Sequence, residues 1–147
     1  MKTAPISVSG TFFFWGGFVS SISFMEAWLK FRAPGVSLET GLSIGKLIFT
    51  GLNRMEWVFV LLLTLLLAPR IKKLPSKYNL LLGGIILILV VQTFIFLPAL
   101  NARAEMIIAG LEPEGSPFHL LFGIAEIIKV LMLLYMGWYS IKLSRSK

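Results

Sequence analysis

The chain has 147 residues, of which 56% are hydrophobic and 14% charged, with no cysteine and a formal net charge of +7. An ordinary soluble domain is about a quarter charged, so a mean hydropathy of +0.84 points to an integral membrane protein. Without cysteine there is no disulfide scaffold, thiol redox chemistry or iron–sulfur cluster, and the low polarity excludes a disordered chain.

Four stretches supply the roughly 20 apolar residues that a membrane helix needs. They cover about residues 9–29, 42–68, 79–100 and 117–141. Four spans cannot close a barrel, and hydrocarbon tolerates no unpaired backbone, so each is predicted to be a helix. The fold class is all-α, a four-transmembrane-helix bundle forming one domain over residues 1–147.

The first span holds the run Phe12-Phe13-Phe14-Trp15-Gly16-Gly17. It does not read as a cleavable signal: Lys2 is a thin basic start, no A-x-A site follows, and Glu26, Lys30 and Arg32 come next. Gly16, Ser20, Ser23 and Ala27 form a stripe of small residues, which lets helices approach closely. Glu26 borders that stripe and is expected to face the interior.

The second helix is predicted to start ahead of its apolar run. Pro34-Gly35 breaks the chain, Ser37 suits an N-cap, and Glu39 suits a first turn. A helix over 37–67 is ~45 Å long at 1.5 Å per residue, so its first turns are expected to stand beyond the lipid on the outer side. Arg54 and Glu56 lie in its outer half, and Pro69 ends it before Arg70-Ile71-Lys72-Lys73. The third helix carries Gln92 and is expected to extend outward too, past a kink at Pro98, with Asn101, Arg103 and Glu105 beyond it and Gly110 as C-cap. Ser116 and Pro117 open the fourth helix. On that helix His119 and Glu126 share a face, and Lys129 lies one turn past Glu126 near mid-membrane.

With four spans, the N-terminus, the second loop and the C-terminus share a side. That side holds Lys2, then Arg70, Lys72, Lys73 and Lys77, then Lys142, Arg145 and Lys147, with no acidic residue. The positive-inside rule makes both termini cytoplasmic. These bases sit beside spans, where they meet anionic headgroups of the lipid bilayer. No basic platform with interleaved aromatics accompanies them, so nucleic acid is not an expected partner.

An ionisable residue at a membrane-helix centre costs about 2.5–3.5 kcal/mol on insertion scales, which makes each one a functional candidate. Six residues are expected to line a polar pocket between the helices, open to the outer side: Glu26, Glu56, Arg103, His119, Glu126 and Lys129. Glu126 and Lys129 would be a switchable pair, Glu26 and Glu56 pocket carboxylates, and Arg103 an attractor of anions at the mouth. His119 would titrate near neutral pH. A structural reading competes: Glu26, Glu56, Glu105 and Glu126 pair with Lys30, Arg54, Arg103 and Lys129 and only hold the helix register. Trp15, Trp28, Trp57 and Trp138 read as interfacial anchors or packing.

One histidine excludes an intrachain bis-histidine haem, and no Glu-x-x-His motif is present for a di-iron site. No aspartate exists for aspartyl chemistry. A mononuclear metal on His119 and Glu126 stays open.

The first helix bears Gly16-Gly17, and a short polar segment ending in Gly45-Lys46-Leu47-Ile48-Phe49 leads into the long second helix. The third helix closes on Pro98 with Arg103 beyond, and the fourth opens at His119. In these features the chain resembles the transmembrane protein 205 family and related bacterial four-helix membrane domains. The resemblance covers most of the chain as a pattern of helices. It implies a four-helix bundle, brings no activity or catalytic residue, and suggests a bacterial inner membrane. The expected function is binding, or helping to move, a small solute or ion through the outward-facing pocket. Four spans are few for a transporter, so a homo-oligomer or a larger membrane complex is expected. The alternatives are a structural or assembly subunit of such a complex, and a membrane enzyme acting on a lipid or quinone.

Overall fold

A computed structural model describes residues 6–145. Among the described residues all regular structure is helical. Four helices are long and apolar enough to cross a membrane: α1 (Ile6–Arg32), α2 (Leu38–Leu67), α3 (Ser76–Ile108) and α4 (Phe118–Arg145). The burial pattern suits lipid. Leu61, Leu65, Leu80, Leu87, Phe94 and Leu131 are each more than half exposed. An apolar girdle of this extent would be an aggregation surface in water and is the ordinary outer face of a membrane protein.

Local signals set the helix ends. Ser37 is extended, and its hydroxyl accepts the Thr40 N–H, capping α2 as its sequence position predicts. Gly110 takes φ +78°, a backbone that only glycine adopts freely, and closes α3. The Leu111 N–H then bonds the Met106 carbonyl and the Gly110 N–H bonds that of Ile107, which satisfies carbonyls the helix leaves open.

Two helices contain a widened turn, at Ser21–Glu26 in α1 and Gln92–Phe96 in α3. The second explains what becomes of the kink expected at Pro98. Proline has no N–H, and its ring crowds the carbonyl four residues back. The turn ahead of it opens, the Leu97 N–H reaches back to the Gln92 carbonyl, and the helix continues to Ile108. In α1 no proline is involved. The hydroxyls of Ser20 and Ser21 bond the carbonyls of Gly16 and Gly17, at 2.7 and 3.0 Å, just where the turn loosens. Side-chain bonds to the i−4 carbonyl weaken the helical ladder at such places.

The tightest packing is between α1 and α4. Val8, Phe12, Trp15 and Val19 recur every three or four residues on α1 and are fully buried. They meet Leu133 and Met136 of α4, with Phe59 and Leu63 of α2 and Ile85 and Leu89 of α3 completing the core. Gly16, in the small-residue stripe, faces Leu133 and Leu134. At Gly137 an added Cβ would lie 2.9 Å from the Phe13 ring. Gly137→Val is therefore expected to destabilise the bundle by about 1–3 kcal/mol through overpacking. Gly123 has nothing within 4 Å of its Cβ position, and Gly123→Ala should be neutral or mildly stabilising. Thermal melting of both purified variants in detergent checks the contrast.

Candidate functional site

Lys129 is fully buried at the centre of the bundle. An ammonium has three N–H bonds to place, and three acceptors stand around it. Nζ donates to Oε1 of Gln92 and to Oε1 of Glu126, each at 2.6 Å. It lies 2.6 Å from Oε1 of Glu56. The acceptors are themselves held. Glu126 Oε1 also accepts the Gln92 side-chain amide at 2.6 Å, and its Oε2 accepts the Ser23 hydroxyl at 2.6 Å. Glu56 Oε1 accepts the Trp15 indole N–H at 3.0 Å.

All four helices contribute to this cluster: Trp15 and Ser23 from α1, Glu56 from α2, Gln92 from α3, Glu126 and Lys129 from α4. Glu56, Gln92, Glu126 and Lys129 are each at most 2% exposed. Both widened turns supply a member. Ser23 sits inside the first, and Gln92 opens the second. A wide turn adds a residue to the helical circuit and re-aims the side chains it carries, which is why such turns often occur at functional sites. The charges do not balance: with every group ionised, two carboxylates face one ammonium.

A cleft of about 520 Å³ adjoins the cluster. Trp28, Phe31, Phe49 and Phe122 form much of its wall, and Lys30, Lys46, Arg103 and His119 also line it. Ser23 belongs to both, lining the cleft while donating to Glu126. Lys30 is firmly placed. Its ammonium lies 3.2 Å from Glu26 Oε2 and 5.4 Å from the ring centres of both Phe31 and Phe49. Gly45 leaves room for it, since a Cβ there would be 2.8 Å from Nζ.

Of the six sequence candidates, three meet, two line the cleft and one stands apart from both. Glu56, Glu126 and Lys129 meet in the buried cluster. Arg103 and His119 line the cleft and do not touch the cluster. Glu26 is half-buried, pairs with Lys30 one turn on, and keeps its Oε1 buried with no partner among the described residues. The complete one-to-one pairing of acids with bases is not what the bundle holds. Glu56 and Glu126 share Lys129. Glu105 pairs instead with Lys46 across α2 and α3, and Arg103 donates to the backbone carbonyl of Glu114. Arg54 is exposed and makes no ion pair among the described residues. His119 is exposed, and both oxygens of Glu126 are already engaged. Among the described residues no group of three or more His, Asp or Glu is placed to hold a metal ion.

Three members of the cluster are not among the sequence candidates. Trp15 read as an anchor or as packing. It is fully buried, stacked on Phe59 with ring centres 5.7 Å apart, and bonded to Glu56. Its spacing from Phe12 and Val19 was the available signal. Ser23 was legible only as a small residue of the stripe, and Gln92 only as a polar group inside an apolar span. Trp57 likewise has a polar partner, with its indole N–H on the Thr93 hydroxyl at 3.0 Å, whereas Trp28 and Trp138 remain about half exposed, as anchors are. No protein-family model, curated protein or solved structure matches the chain.

Proposed function

We propose that this membrane protein binds, or helps to move, a small solute or ion through the cleft, with the buried cluster exchanging one charge as it does so. One observation carries the reading. Two carboxylates and one ammonium from different helices are enclosed in the bundle, directly behind a cleft that Ser23 connects to them. A set of groups that served only to fix helix register would gain nothing from a surplus carboxylate, because an unmatched charge in a low-dielectric interior is costly. The surplus is balanced when the cluster takes up one proton or one small cation. Intramembrane acids and bases of this kind mark ion and proton pathways.

In this reading both termini are cytoplasmic and the cleft faces the outer side. The first turns of α2 and the last turns of α3 stand beyond the lipid there. The 30 residues of α2 and 33 of α3 exceed what the hydrocarbon requires. A bundle of four spans works as a homo-oligomer or within a larger membrane complex.

Glu56→Gln tests the function. It leaves one carboxylate matched to one ammonium, so the fold persists while the exchangeable charge is gone. Liposomes carrying the native protein and a trapped pH- or cation-sensitive dye should show flux above empty liposomes, and Glu56→Gln should remove it. Native flux no greater than the empty control, or undiminished flux in the variant, overturns the reading. Orientation has a separate check. In intact cells an impermeant thiol reagent should label Gly115→Cys and spare Ser76→Cys; the opposite pattern inverts the topology.

A further inference from the structure

The proposed function leaves the solute open, and the cleft's chemistry narrows it. Its walls are largely apolar, with five Phe and Trp side chains and the aliphatic Leu97, Leu100 and Ile107 among them. A small hydrated ion gains little from such walls. A wholly apolar ligand has no use for the charges set among them. Lys30, Lys46 and Arg103 line the cleft, and among the described residues no carboxylate does. The acids nearest these bases, Glu26 and Glu105, hold Lys30 and Lys46 from outside the lining. Among the described residues Arg103 has no carboxylate partner and spends a donor on a neutral backbone carbonyl.

Lys30 is the best-defined of the three. Its side chain is 9% exposed, fixed by Glu26 on one side and by two aromatic faces on the other. A preplaced ammonium in apolar surroundings binds an anion more strongly than a mobile surface lysine does, because little ordering remains to be done. The cleft's volume, about 520 Å³, lies inside the range of roughly 300–1,000 Å³ usual for small-molecule sites. We propose, on the basis that this cleft is the ligand site, that it takes an amphipathic anion: an acidic head held by Lys30 and Arg103, with an apolar body against Trp28, Phe31, Phe49 and Phe122. Such a molecule is either a free long-chain carboxylate or an acidic phospholipid.

Radiolabelled oleate binding to the purified full-length protein in nonionic detergent, read by scintillation proximity, tests this. Binding should be saturable, and unlabelled oleate should displace the label at least tenfold better than oleyl alcohol, which has the same chain without the charge. Lys30→Met and Arg103→Gln should each weaken binding about tenfold, the loss expected for one charge-assisted contact. Ala104→Trp, which fills the cleft, should abolish it. Displacement by phosphatidylglycerol but not phosphatidylcholine assigns an acidic phospholipid; displacement by oleate alone assigns the free carboxylate. Lys30→Met forfeits the Glu26 pairing as well, so Arg103→Gln decides if that variant does not fold. Equal displacement by the alcohol, absence of saturable binding, or unchanged affinity in Arg103→Gln overturns the assignment. Ion flux without oleate binding would remove this ligand and leave the cluster's role standing. Oleate binding without flux would do the reverse.

Discussion

Lys129→Met is expected to destabilise the bundle by about 3–5 kcal/mol, the range for breaking a buried ion pair by removing one partner. The substitution removes one charge and leaves two. Glu56 and Glu126 would confront each other around an apolar side chain with no counter-charge, and Oε1 of Gln92 would lose its donor. Denaturant titration in detergent, followed by circular dichroism, measures the loss. The triple variant Lys129→Met, Glu56→Gln, Glu126→Gln removes all the charge and should recover most of it. Glu56→Gln alone should be far milder, since one carboxylate still matches one ammonium. A cost below about 1 kcal/mol for Lys129→Met would mean that the ammonium does not hold the carboxylates together.

Trp15→Ala is expected to cost about 3–5 kcal/mol. Trp15 is completely buried, stacks on Phe59, and is among the largest side chains in the interior. Lipid offers no hydrophobic drive for helix association, so lost van der Waals contact between helices is felt directly. Trp15→Phe separates packing from polarity. It keeps an aromatic ring against Phe59 but removes the N–H that Glu56 accepts, which should cost about 1–3 kcal/mol. If that cost comes from the Glu56 contact, it shrinks when Glu56→Gln is already present. A double-mutant cycle reads the coupling. Strict additivity would mean that the Glu56 charge adds nothing to the indole contact.

The helices were legible in the sequence because their causes are local. Lipid demands about 20 apolar residues and an internally bonded backbone from each span separately, and those runs are plain in the chain. Ser37 and Gly110 act within a turn of themselves, so their capping roles could be read from position alone. The pairing of Glu126 with Lys129 was legible for the same reason, being one turn of one helix. Glu56 was a candidate on cost: a charge in an apolar span needs a partner, whatever that partner is.

What the sequence could not determine is how the helices rotate against one another. A face drawn at 3.6 residues per turn loses register across a widened turn, and the cluster takes Ser23 and Gln92 from two such turns. Spacing on single helices put Arg103, His119 and Glu26 in one pocket with Glu126. Packing divides that pocket into a buried cluster and an open cleft, with Ser23 between them. It also joins Lys46 to Glu105 and sets the Trp15 indole on Glu56, partners 59 and 41 residues apart. Lipid exposure and backbone bonding act on each span alone and are written in its composition. The meeting of side chains from different spans depends on where small residues such as Gly137 and Gly45 let neighbours in, and only the assembled bundle decides that.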